Sequence, residues 1–148
     1  MVRNTCEFVE GHLLEIRVAA GYRNVADVNE MMGMIGENVA KLPPEEKFAI
    51  VADWRAVQLM APETAARARE MLARVNPRVT RSAILTLPEN PLTNLQVIRL
   101  IREAENPSRR HFSSSKELHA WVSEVLTAEE SARLWKFVEL PGRPPLGG

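Results

Sequence analysis

Cysteine is almost missing from these 148 residues: Cys6 is the one thiol. An intrachain disulfide and a multi-thiolate zinc site are therefore excluded. Net charge is missing too, since 19 basic and 19 acidic residues cancel. That removes the broad basic field expected of a nucleic-acid binder. Aromatic residues make up 5%, and none interleave with the dense arginines Arg67, Arg69, Arg74, Arg78 and Arg81 to stack on bases. No nucleic-acid partner is expected. No apolar run approaches the ~20 residues needed to cross a bilayer, so no membrane insertion is expected. The segment Met1-Val2-Arg3-Asn4-Thr5-Cys6-Glu7 lacks the apolar stretch of a signal peptide. The expectation is a soluble, cytoplasmic protein. G-x-S-x-G, P-loop and G-x-G-x-x-G patterns are absent.

What is present is ordinary for a soluble domain: 45% apolar and 26% charged residues. The length suits one domain, assigned to residues 1–140, followed by a disordered tail at 141–148 that is rich in proline and glycine. Leu14, Ile16 and Val18 alternate with Glu15 and Arg17, the period-two mark of a half-buried strand. With Cys6–Val9 and a Glu10-Gly11 turn, His12–Ala19 closes a hairpin. Asn24 caps a helix over Val25–Lys41, whose apolar stripe is Val25, Val28, Met32, Ile35, Val39 and Leu42. Gly33 and Gly36 lie mid-helix, at a cost of about 1 kcal/mol each relative to alanine. Gly36 borders the stripe, so close approach to a sheet is the expected reason for it.

Phe48-Ala49-Ile50-Val51-Ala52 is continuously apolar and reads as a strand buried on both faces. Pro62 opens a helix to about Val75 with Ala65, Ala68, Leu72 and Val75 inward. Ser82–Leu87 is a strand, Leu92–Ala104 a helix and Arg109–Phe112 a short strand. Ser114–Glu117 and Thr127–Glu130 fit capping boxes that open the last two helices. Leu118, Trp121, Val122 and Val125 line one, and Leu134, Phe137 and Val138 the other. The order β-β-α-β-α-β-α-β-α-α implies an α/β fold: a mixed, mainly parallel sheet with an N-terminal β-hairpin and alternating helices.

Element order, Phe48–Asp53 with the loop and helix after it, and Arg81-Ser82-Ala83-Ile84-Leu85-Thr86 followed by a helix and Arg110-His111-Phe112 resemble the STAS domain. That fold is named for sulfate transporters and anti-sigma-factor antagonists. The likeness is to its SpoIIAA-like (anti-sigma-factor-antagonist-like) branch and covers about Phe8–Val125. Signalling members place an aspartate at the end of the third strand and an Asp-Ser pair eight and nine residues later. A partner kinase phosphorylates that serine at a helix start. Counted from Asp53, those positions hold Ala61 and Pro62. Proline has no hydroxyl. Thr64, two residues on, is the remaining candidate acceptor, and nothing in the spacing favours it. The resemblance implies a family scaffold without its phospho-switch.

Candidate chemistry is sparse. His12, His111 and His119 lack metal-ligand spacing, so no metal and no cofactor are expected. Cys6 has only His12 as a potential base, and a structural thiol is expected. A small ligand, if any, belongs at the carboxyl ends of the strands, near Asp53, Trp54, Arg55, Asn90, Ser113 and Ser114. The plainer reading is that these residues cap helices or pair locally. Partner contacts fall elsewhere. Met34 lies opposite the stripe of its helix. The Leu92–Ala104 helix is apolar on two sides: Val97, Leu100, Ile101 and Ala104 on one, Leu92 and Leu95 with Arg99 and Arg102 on the other. The expected function is a non-enzymatic interaction or regulatory module with an unidentified protein partner, acting through a helical face, with a homodimer one form of it. The alternative is a small-molecule or lipid carrier with a pocket near Trp54. An enzyme would need at least two convergent polar groups at the strand ends.

Overall fold

The computed structural model describes residues 2–139. The proline- and glycine-rich stretch 141–148 lies outside them. Two strands open the fold, β1 (Thr5–Glu10) and β2 (Leu13–Arg17), joined at Gly11 and paired antiparallel. There follow α1 (Val25–Val39), β3 (Phe48–Asp53), α2 (Pro62–Arg74), a short 3₁₀ turn at 76–78, and β4 (Val79–Leu85). Next come α3 (Pro91–Glu103), β5 (Arg109–Phe112), α4 (Ser115–Ser123) and α5 (Ala128–Glu139). The five strands stand in chain order, β1-β2-β3-β4-β5, and every pair after the hairpin is parallel.

Sequential parallel strands need a crossover helix each. Here α1, α2 and α3 share one face, where Leu14, Ile16, Ile50, Ala52 and Ile84 meet Val28, Met31, Ala68, Leu72, Val97 and Leu100. Helices α4 and α5 cover the other face, where Leu13, Ala49, Val51, Ala83 and Leu85 meet Leu118, Val122, Leu134 and Phe137. Alternate residues of β3 thus enter opposite layers, which explains its unbroken apolar sequence.

The helical stripes sit slightly rotated from their expected positions. In α1 the buried residues are Val28, Met31, Ile35 and Asn38; Val25, Met32 and Val39 are half-buried. Met34 is half-buried against the same core, so its reading as a residue opposite the stripe is corrected. Asn38 is the polar member of the buried set. Its amide donates to the Cys6 carbonyl at 2.9 Å and to the Met34 carbonyl at 2.9 Å, which ties α1 to β1. In α2, Thr64 and Met71 join Ala68 and Leu72 inside, while Ala65 and Val75 are partly covered. Val125 falls beyond the end of α4 and is exposed, not apolar lining. Strand β2 stops at Arg17, although the Val18 N–H still donates to the Asp53 carbonyl at 2.9 Å. Gly36 does not mark close approach to the sheet, because a β-carbon there would meet nothing within 4 Å.

Candidate functional site

The carboxyl end of β3 holds the most heavily bonded polar group of the expected ligand cluster. Asp53 is the last residue of β3, and its side chain is 0% exposed. One carboxylate oxygen accepts from Arg55 Nε at 2.9 Å and from the Arg55 backbone N–H at 3.0 Å. The other accepts from Arg17 Nη1 at 2.6 Å and Arg55 Nη2 at 3.1 Å. Arg17 also donates to the Phe137 carbonyl at 2.7 Å, with its guanidinium 4.0 Å above the Phe137 ring centroid. Burial lowers the Arg17 pKa from its ordinary value, and the Asp53 charge opposes that shift. A carboxylate this enclosed is occupied by its own chain. It joins β2, β3 and α5 and offers no open face to a ligand.

Trp54 follows it into the interior, 1% exposed, with its ring edge-on to Tyr22 at 5.4 Å. Beside this aromatic pair lies a cavity of about 370 Å³, bordered by Tyr22, Ala56 and Met60. Asn90 stands at the start of α3 without a side-chain cap bond. With Gln58, Leu59, Glu89, Pro91 and Leu92 it borders a surface cavity of about 370 Å³. Ser113 is exposed, and the Ser114 hydroxyl caps α4 by accepting from the Glu117 N–H at 3.2 Å. Among the described residues the hydrogen bonds of Asp53, Asn90 and Ser114 run to separate neighbours. No hydrogen bond links these three residues to one another.

A different polar group does assemble beside them. Thr86, just past β4, bonds to Asn94 of α3 and lies 2.6 Å from His111 Nε2 of β5. The Asn94 amide nitrogen donates to the Leu87 carbonyl at 3.2 Å, so its oxygen faces Thr86. The Thr86 hydroxyl then gives its only proton to Asn94. His111 must donate from Nε2, which leaves it unable to act as a base toward Thr86. Burial holds the His111 pKa below its ordinary value. This triplet joins β4, β5 and the first turns of α3; it is not an activated nucleophile. Sequence reasoning noted the histidine but had no means of placing Thr86 and Asn94 around it.

The other histidines serve similar joints. His12 Nε2 meets Glu46 at 2.7 Å on the surface. His119 Nε2 contacts the Ser131 carbonyl at 2.9 Å, linking α4 to α5. Among the described residues, no group of three or more His, Cys, Asp or Glu side chains is arranged to hold a metal ion. No described helix is long and apolar enough to cross a membrane.

The helix after β3 starts where the count from Asp53 places it. Ala61 is the N-cap, with no side-chain cap bond, and Pro62 is the first helical residue. Thr64 lies one turn inside and is 2% exposed. A kinase cannot reach a hydroxyl in that position without opening the helix, which agrees with a spacing that does not favour Thr64 as an acceptor.

The helix α3 has the two-sided character expected from its sequence. Val97, Leu100 and Ala104 are buried, and Ile101 is half-buried. Leu92 and Leu95 are 66% and 64% exposed, with Arg99 and Arg102 exposed beside them. Two residues missed by the sequence argument extend the patch. Ile98 is exposed on the same helix, and Leu59 borders the cavity at its foot. No family model, curated protein or solved structure matches the chain.

Proposed function

We propose that the chain is a STAS-like, SpoIIAA-like interaction module that does no chemistry of its own and acts through the outer face of α3 on a second copy of itself. The observation that carries this reading is the pair of leucines, Leu92 and Leu95, left mostly bare on a helix whose opposite side buries Val97, Leu100 and Ala104. A monomer gains nothing from two such residues one turn apart beside an exposed Leu59. The sequential sheet with its leading hairpin and the element order support the family likeness. Pro62 at the helix start and the enclosed Thr64 support a module that is always competent rather than switched by phosphate.

A two-fold pairing suits the face. If two α3 helices run antiparallel with the axis near Leu95, Leu92 of one copy lies against the Arg99 stem of the other. Arg stems cover apolar surface well. The same geometry brings Arg102 beside the other copy's Glu89, so the flanking charges complement each other. The test is a charge swap followed by sedimentation velocity. Arg102→Glu and Glu89→Arg each weaken association, and the double variant restores it. If Arg102→Glu associates as the wild type does, the antiparallel pairing is wrong.

A further inference from the structure

We infer that the apolar cavity between the carboxyl ends of α1 and α2 binds a free, single-chain fatty acid anion of medium length. The cavity measures about 430 Å³, within the range of roughly 300–1,000 Å³ typical of small-molecule sites. It lies beside Phe48, at the amino end of β3, and is separate from the α3 face. Met32, Ile35 and Val39 of α1 face Met71 of α2 and Val75 across it. Unbranched thioether chains on both walls can adjust to a flexible alkyl tail. Gly36 lies on the same wall, and a β-carbon there would meet no atom within 4 Å. The glycine therefore keeps space open rather than admitting a neighbouring element.

The rim sets the sign of the ligand. Arg74 and Arg78 line the cavity, and among the described residues no carboxylate does. Arg78 donates to the carbonyls of Pro43 and Glu46 and lies 5.8 Å from the Phe48 ring centroid; these contacts leave its charge uncompensated. Arg74 is exposed, and among the described residues it has no hydrogen-bond or ion-pair partner. The two helix ends oppose an anion with about half a negative charge each, screened by solvent. Two full positive charges outweigh them. A guanidinium fork fits a carboxylate in particular, and the apolar walls require a tail.

The test is a titration of the full chain, carrying ¹³C-methyl methionine, with decanoate below its micelle threshold. Saturable binding at or below about 100 μM is expected, with the methyl signals of Met32 and Met71 moving. Gly36→Leu fills the cavity and weakens binding about tenfold or more. Arg74→Glu weakens decanoate binding about fivefold or more while leaving decanol binding unchanged. Arg74 is exposed, so this variant keeps the test valid should Gly36→Leu fail to fold. Three results overturn the proposal. One is no saturable shift. Another is undiminished binding by both variants. The last is binding to phosphatidylglycerol vesicles with no response to free decanoate, which marks a membrane-surface contact instead.

Discussion

Gly11 and Glu130 approach so closely that a β-carbon on Gly11 would overlap the Glu130 carboxylate. Gly11 turns the hairpin at φ +56°, where side chains are strained. Glu130 uses one oxygen to accept from the His12 N–H at 2.6 Å and the other to accept from the Thr127 N–H at 2.9 Å. The Thr127 hydroxyl returns a bond from the Glu130 N–H at 3.1 Å. One residue thus completes the capping box of α5 and fastens that helix to the hairpin.

Gly11→Ala combines left-handed strain, about 1–2 kcal/mol, with displacement of a buried carboxylate from its donors, about 1–3 kcal/mol. The expected loss is about 2–4 kcal/mol of unfolding free energy, measured by urea denaturation. In the Glu130→Ala background the same substitution keeps only the strain cost. Equal costs in both backgrounds would show that the two residues are uncoupled.

Asp53→Asn leaves Arg17 and Arg55 together without their carboxylate. Breaking a buried pair from one side costs about 3–5 kcal/mol, and the urea midpoint falls accordingly. Replacing the whole group by apolar residues, Asp53→Leu with Arg17→Met and Arg55→Met, costs less than Asp53→Asn alone. A midpoint unchanged in Asp53→Asn contradicts the structural role.

His111 makes stability depend on pH. Its folded pKa lies below the ordinary value of 6.5 because of burial. The unfolded chain therefore takes up a proton first as pH falls, and the folded state loses ground. The contribution is complete above about pH 6.5 and declines below it. Urea midpoints at pH 7.5 and 5.5 should differ more for the wild type than for His111→Gln. Equal differences remove His111 as the source.

Cys6 is a protected thiol. Burial first, then the Glu7 charge, push its pKa up to about 12. Labelling of the native protein by an aromatic disulfide near neutral pH should be slow, and it should become fast in denaturant. Fast native labelling shows that β1 opens readily.

Much of this architecture is written in short-range pattern. The apolar run Phe48–Ala52, the Asn24 and Ser114 caps and the two-sided α3 all depend on neighbours a few positions apart. The polar joints do not. Glu15 and Arg17 alternate with apolar residues and so read as a solvent face. In the fold, Arg133 clasps Glu15 at 2.7 and 2.8 Å, from 118 positions away. Arg17 turns to Asp53 and to Phe137. Nothing local announces such partners. Arg109 is a further case: it is buried beneath α2, donating to Ser82 Oγ and the Leu72 carbonyl, and burial lowers its pKa to about 10. For the same reason Asp53 looks available to a ligand in the sequence and is already spoken for in the fold. Gly36 is legible as an anomaly, but only the open space beside it gives the cause.

The α3 face is tested most directly by the mass of the particle in solution. Light scattering at tens of micromolar should return twice the chain mass of 16.6 kDa for the wild type. Leu95→Asp, with Leu95 on the surface, should keep the same circular dichroism and return 16.6 kDa. A wild type that stays at the single-chain mass at every concentration, or a Leu95→Asp variant that pairs as tightly as the wild type, contradicts the account.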